Sequence, residues 1–346
     1  MRTKTSAMNS IAPKATLPPD LSGQTAWIIS DGKAGHEVQC LGVAEALGLR
    51  SEIKRVAPRG LFKLAAPFGP VNPGESFGKV GAMFSPPWPA IAFAAGRTTI
   101  PYIRKLKRVA GQVVFTVILL DPKMSANCAD LIWVPAHDAR RGDNVVTALT
   151  SPHRFSAGRL AELRKTVPQT IAALPEPRVA VLIGGPNGVF AFTESDAARM
   201  AAALNAFARN GAGLMIAQSR RTPPEFLAAI DAATQSAPRI LFNGTGENPY
   251  AYFIAHADTF VVTADSINMA GEAAATGKPI YIFEPSLERS SDGGKFARFH
   301  EQLRKHGATR PLPESGGNLE VWSYAPLDTA SFIAGEIERR LSRRTE

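Results

Sequence analysis

Residues 258–285, DTFVVTADSINMAGEAAATGKPIYIFEP, hold two short apolar runs separated by an alanine-rich segment, and their order decides the fold class. Phe260, Val261 and Val262 are β-formers in a buried-strand pattern. Residues 269–275 are helix formers, and Gly277-Lys278-Pro279 stops that helix ahead of a second apolar run at 280–283. Strand, loop, helix and strand in this order make half of a parallel α/β unit. Ligands of such units sit beyond the carboxyl ends of the strands, here residues 263–268, where the next helix begins with unpaired N–H groups. Asp265 and Ser266 are therefore candidate helix caps and candidate ligand contacts at once. Glu272, six residues beyond Ser266, can accept both hydroxyls of a ribose while the helix start faces phosphates; the alternative is a carboxylate that meets only solvent.

The same order of elements recurs along the chain. Residues 25–30 (TAWIIS) read as a strand that runs into Asp31-Gly32-Lys33-Ala34-Gly35-His36 before a helix at 37–47. Glycines there let the backbone turn tightly and approach a ligand, and the loop presents His36, whose ordinary titration range suits proton transfer near neutrality. A surface histidine beside a helix start is the other reading. Strands follow at 91–94, 113–120, 131–134 and 144–148, with Gly96-Arg97-Thr98-Thr99 and a basic helix at 100–110 after the first of them. His137-Asp138 follows a strand end, and such a pair alone says little. PQTIAALPEP at 168–177 marks the domain boundary, and a second series begins with a strand at 178–183 ending in Gly184-Gly185-Pro186-Asn187-Gly188. A strand at 213–217 ends in Ser219-Arg220-Arg221-Thr222-Pro223-Pro224. Arginines beside a helix start grip phosphate well, or else are simply solvated. Two series of about five strands predict an α/β chain of two Rossmann-like domains with parallel sheets facing across a cleft. The expected divisions are a disordered lead at 1–22, domains at 23–170 and 176–325, and a C-terminal helix at 326–346.

Motifs that would name a different chemistry are missing. A phosphate-binding P-loop in GEAAATGKP fails because Glu272 stands where its first glycine belongs and Pro279 where Ser or Thr belongs, and no GxGxxG occurs. There is no HExxH, and the two cysteines, Cys40 and Cys128, have no CxxC spacing, so neither a metal site nor a disulfide scaffold is expected. A reducing, cytoplasmic compartment fits them.

The 346 residues are 45% hydrophobic and 20% charged, with a net charge of +9, and no apolar run approaches the length of a membrane span. Residues 50–110 hold eleven basic and two acidic residues, enough to account for the whole excess. Within 58–89, Phe62, Leu64, Phe68, Phe77, Met83, Phe84 and Trp88 lie between these basic residues in a Gly- and Pro-rich context. Apolar side chains interleaved with Lys and Arg suit peripheral contact with an anionic membrane through residues 58–108, on the inner face of the cytoplasmic membrane; aromatics packed on their own domain are the alternative. The patch matches no nucleic-acid-binding module, so no nucleic acid is expected as a partner.

SDGKAGHEVQCLGVAEALGL, VLIGGPNGVF, SRRTPPEF, NPYAYFIAHAD and VVTADSINMAGEAAATGKPIYIFEP together resemble the mitochondrial fission ELM family, over about residues 25–325. That family looks like a GT-B glycosyltransferase and is most similar to the peptidoglycan N-acetylglucosaminyltransferase, which acts on a membrane-bound lipid diphosphate. The resemblance implies a nucleotide-diphosphate-sugar substrate, no further cofactor and no metal. It implies donor binding by Gly184, Gly185, Asn187, Ser219, Arg220, Arg221, Asp265, Ser266 and Glu272, with Glu272 on the ribose. It also implies His36 as the base, in a loop of Asp31, Gly32, Lys33 and Gly35 that faces the diphosphate or acceptor. DGKAGH departs from the denser glycine run of the peptidoglycan enzyme. Plant members imply an alternative: a non-catalytic adaptor that recruits a dynamin-related GTPase to the mitochondrial surface. The basic, Ala/Arg-rich composition and the motif form suggest a bacterial chain, which has no such target.

Overall fold

Central strands of parallel sheets are buried on both faces and so read as unbroken apolar runs, and that is how most strands of this chain are built. A computed structural model describes residues 21–75, 77–79, 81–288, 293–313 and 317–345; the expected lead at 1–22 falls almost wholly outside the described residues. The first sheet consists of β1 (Thr25–Ser30), β2 (Arg50–Arg55), β3 (Ile91–Ala95), β4 (Phe115–Leu119), β5 (Leu131–Pro135) and β6 (Val145–Ala148), in the order β2-β1-β3-β4-β5-β6. The second consists of β7 (Arg178–Ile183), β8 (Gly213–Gln218), β9 (Arg239–Phe242), β10 (Thr259–Thr263), β11 (Ile280–Phe283) and β12 (Thr309–Pro311), in the order β12-β11-β10-β7-β8-β9. Every pairing in both sheets is parallel. The expected architecture of two Rossmann-like α/β domains is therefore the one observed.

Alternation along each strand feeds two cores per sheet. In the first, Ile28, Phe93, Val117 and Trp133 face one layer of helices, while Trp27, Ile29, Ala94, Ile118 and Ile132 face the other. In the second, Leu182, Met215, Phe260 and Ile282 oppose Val181, Leu214, Val261 and Tyr281 in the same way.

Each sheet has one strand more than the sequence suggests. β2, RSEIKR, is an edge strand with mostly exposed side chains, so no apolar run announces it, and its Lys and Arg protect the open edge. β12 is only three residues long.

The chain crosses between the two cores twice. Helices Ala157–Arg164 and Gln169–Ala172 already give Leu160, Leu163 and Ile171 to the second core, so the first crossing lies at 149–156, ahead of the proline-rich stretch at 168–177. The last helix, Thr329–Thr345, returns to the first sheet and buries Ala330, Ile333, Ile337 and Leu341 there. Where the two crossings pass, Thr150 Oγ1 and Thr329 Oγ1 share a buried hydrogen bond of 2.8 Å.

The basic segment at 58–108 divides into two parts. Phe84 is fully buried, stacks on Phe77 with ring centroids 4.3 Å apart, and packs against Trp27 and Tyr102; Trp88 also meets Trp27. Three apolar residues do the opposite: Leu61, Leu64 and Phe68 are 79%, 72% and 67% exposed. They sit on and just beyond the short helix Gly60–Ala65, whose end is held by Arg97 on the carbonyls of Leu64 and Ala66 and by Arg104 on those of Pro67 and Phe68. With Arg50, which donates to the Gly23 carbonyl, three of the eleven basic residues are thus spent on the backbone.

Candidate functional site

Each sheet has one place where the strand order reverses, and the loops leaving the carboxyl ends there splay apart to leave a crevice. In the first sheet that place lies between β1 and β3, in the second between β7 and β10. The loops that carry most of the sequence-predicted residues leave β1, β7 and β10, so topology puts them at the two crevices, and Ser219, Arg220 and Arg221 leave the neighbouring β8. The crevices face each other. A Cβ placed on Gly35 would stand 3.8 Å from Asn268 Nδ2 of the other domain.

On the first-domain side, His36 Nδ1 is 3.0 Å from Asp31 Oδ1. A carboxylate only accepts, so the ring donates from Nδ1 and, when neutral, keeps its lone pair on Nε2. Asp31 also accepts from Lys33 N–H, and the Lys33 ammonium stands 3.5 Å from its other oxygen. Beneath the pair lies Gly96 at the end of β3, with φ +94°; a Cβ there would come within 2.7 Å of the imidazole and 2.9 Å of Asp31 Oδ2. The sequence places Asp31 in the loop without showing that it holds His36. Neither the pair nor the glycine under it leaves a local signal.

On the second-domain side, the glycines make room for the chain itself. Gly184 donates to Thr263 Oγ1 and Gly185 to Asp265 Oδ2, and a Cβ on Gly184 would overlap the Asp265 carboxylate. A Cβ on Gly185 would overlap the Arg221 carbonyl. Asp265, with a fully buried side chain, also accepts from Thr263 Oγ1 at 2.7 Å and from Arg221 at 2.8 Å, and Arg221 donates further to the carbonyls of Gly185 and Pro186. Asn187 Oδ1 accepts from Val189 and Phe190 N–H, and Ser219 Oγ from Arg221 N–H. Of the nine residues expected to meet a donor, these six, Gly184, Gly185, Asn187, Ser219, Arg221 and Asp265, are thus engaged with neighbouring chain. The physical reason is that three strand ends converge at the crevice, and their polar groups satisfy one another.

Ser266, Arg220 and Glu272 remain. Ser266 caps the helix Ile267–Ala274 by accepting from Met269 N–H at 3.4 Å, and its helix start opens into the cleft. Arg220 is exposed and lines the cleft beside Gly32, Lys33, Gly35 and His36. Glu272 is turned away from the lining and is hydrogen-bonded by the Tyr250 hydroxyl. Burial pushes its carboxyl up to about 7, a rise that the Tyr250 hydrogen bond opposes.

The cleft consists of two adjoining cavities of about 580 and 370 Å³ that share Gln39, Leu120 and Asn268 as a waist. The larger contains His36 and Arg220. The smaller contains Ser266 and also His137, Asp138 and Lys295, which the sequence did not bring together. Gln39 lies one helical turn beyond His36 and is 7% exposed, and its Oε1 has no hydrogen-bond partner. Among the described residues, no group of three or more His, Cys, Asp or Glu side chains is placed to hold a metal ion, and no helix is long and apolar enough to cross a membrane.

With this geometry in hand, comparison with known proteins places the chain. Residues 34–341 match the family model described as mitochondrial fission ELM1. The chain is 27% identical to the mitochondrial fission protein ELM1 of Arabidopsis thaliana, over 92% of its own length and 91% of that protein's. It is 37% identical to an uncharacterised protein of Rickettsia prowazekii, over 52% of its own length and 50% of the other's. In fold it is similar to a Listeria monocytogenes protein described as a candidate UDP-N-acetylglucosamine 2-epimerase, with a TM-score of 0.54, 9% identity and coverage of 94% and 97% of the two chains. The fold is GT-B-like, as the sequence resemblance implied.

Proposed function

The chain belongs to the mitochondrial fission ELM1 family, and from that premise we propose that its cleft binds a nucleoside-diphosphate sugar and transfers the sugar to a hydroxyl with inversion. The observation that carries this reading is the placement of the His36–Asp31 pair on one side of the cleft and of the helix capped by Ser266 on the other, where Gly35 approaches Asn268. In the reaction, the acceptor oxygen forms its bond to the sugar's anomeric carbon as the bond from that carbon to the diphosphate breaks. The acceptor proton passes to His36 Nε2, and Asp31 holds the ring and balances the imidazolium. Charge growing on the diphosphate is met by Arg220 and by the N–H groups of the helix start. Arg221, already paired with Asp265, stiffens the loop that carries Arg220. Because these groups neutralise the leaving diphosphate themselves, turnover is expected to persist in EDTA.

A membrane-associated acceptor fits the first domain. Leu61, Leu64 and Phe68 project from it, and Arg104, Lys105 and Arg108 line the adjoining groove with Phe68. Apolar insertion and attraction to anionic headgroups would act together there.

One observation favours a second reading, a binding protein of the fission-adaptor type that kept the fold without turnover. Glu272, the candidate ribose carboxylate, is occupied by Tyr250. Calorimetry against UDP, GDP, CMP and ADP sugars separates the readings. Binding of one donor, with His36→Ala abolishing transfer but sparing affinity, supports the enzyme. Binding without transfer or hydrolysis supports the adaptor, and no binding by any nucleotide rejects the donor site.

A further inference from the structure

At the far end of the cleft from His36, His137 follows the carboxyl end of β5 with its side chain 7% exposed. Its Nδ1 is buried and has no hydrogen-bond partner, and the nearest carboxylate, Asp138, stands 3.9 Å from its other nitrogen. Helix Gly294–Lys305 of the second domain brings Lys295 into the lining of the same cavity, and Arg298, one turn further along it, also acts on the ring by its charge. Burial holds the imidazole below its usual range, Asp138 opposes this, and Arg298 and Lys295 add to it. Neither cation has a carboxylate partner among the described residues; Lys295 only lies over the Phe296 ring. The other charges of the cavity cancel, since Arg221 and Asp265 neutralise each other. Among the described residues, Asp138 is then the one acidic group acting on the ring, against two cations that have no carboxylate partner. A buried nitrogen without a partner on one wall and positive charge without a carboxylate partner on the facing helix describe the complement of an anion.

We propose that His137, Lys295 and Arg298 form an oxyanion seat across the two domains, separate from the Ser266 helix start and Arg220, which takes a phosphate or carboxylate group of the cleft's ligand. An anion there pairs with cations from one domain while accepting from the protonated ring of the other, so its arrival draws the cleft's walls together. Two sources carry this chemistry, the diphosphate of a nucleotide and the carboxylate of an acidic sugar. The inference does not depend on which nucleotide, if any, binds at Ser266.

The test is NMR of the histidine rings of the full chain, with the His137 resonance assigned from His137→Gln, titrated separately with inorganic pyrophosphate, uridine diphosphate and glucuronate. At least one should move the His137 resonance and raise its titration midpoint, and in Lys295→Met the effect should weaken about tenfold or more, with the His36 resonance unchanged as evidence of folding. Response to pyrophosphate and uridine diphosphate assigns the seat to a diphosphate, and response to glucuronate alone assigns it to an acidic sugar. If none of the three moves His137, or if Lys295→Met and Arg298→Met respond as the native chain does, the seat does not exist. Calorimetry reads the transferase proposal separately. Nucleotide binding with His137 unmoved leaves that proposal standing and removes this one, whereas pyrophosphate moving His137 in a chain that binds no nucleotide does the reverse.

Discussion

Gly96 shows how a residue with no side chain can set the chemistry of another. Its backbone lies in a region that disfavours any Cβ, and the missing atom is the space that the His36 ring and Asp31 occupy. Gly96→Ala is expected to cost about 1–3 kcal/mol of backbone strain and to displace the imidazole, so turnover should fall by more than the loss of folded chain explains. Thermal melting and single-turnover rates on the same sample check this. Glu272 allows a prediction with a definite sign. Burial pushes its carboxyl up to about 7, against 4.5 for an exposed glutamate, so the folded chain binds that proton more tightly than the unfolded one. Stability contributed by this group is therefore greatest below pH 4.5 and is lost as the pH rises toward 7. Glu272→Gln should remove that decline, and urea midpoints at pH 5 and pH 8 should lie closer together in the variant than in the native chain. At this scale the sequence was readable only in part. His36, Arg220 and Ser266 stand at the cleft because a glycine loop or a helix start announces itself locally. Asp31 as the holder of His36 depends on how their shared loop turns, and Gly96 beneath it, Tyr250 on Glu272 and Lys295 opposite His137 arise from chain segments that meet only in three dimensions.

The elements were more legible than the contacts between them. Apolar runs such as Phe115–Leu119 and Thr259–Thr263 identify themselves because a strand covered on both faces can use little else. β2 escaped because an edge strand needs only its backbone to pair, and six residues with one aliphatic side chain satisfy it. The loops after β7 and β10 behave as one joint, locked by Asp265. Asp265→Ala would leave Gly185 N–H and Thr263 Oγ1 without their acceptor and Arg221 without its counter-charge, at a cost of about 2–4 kcal/mol. A denaturant titration measures the loss, and stability equal to the native chain's would show that the lock is idle. For the exposed helix, replacing Leu61, Leu64 and Phe68 together by serine should abolish co-sedimentation with vesicles rich in anionic lipid and leave the melting temperature nearly unchanged, since none of the three is buried. Equal recovery of the native chain on neutral and anionic vesicles at low salt would count against the electrostatic part of that surface.

For the whole molecule, the sequence showed the two domains but not how the chain shares itself between them. The proline-rich stretch at 168–177 looked like a border because composition marks where a chain turns, and composition does not report which core a neighbouring leucine enters. Leu160 and Leu163 enter the second core, and the last helix enters the first. Removing residues 326–346 should therefore weaken the first domain, from which they are most distant in sequence, and leave the second largely intact. Hydrogen exchange read domain by domain would show it, and uniform protection in the shortened chain would refute it. This shared ownership of the core has a consequence during synthesis. The second domain's core is contiguous and can close while the ribosome is still at work, whereas the first domain, though begun earlier, waits for Ile333, Ile337 and Leu341, which are made after that core. The His36 side of the cleft is thus completed after the Ser266 side, and a chain that stops before the helix Thr329–Thr345 would hold a finished younger domain and an unfinished older one.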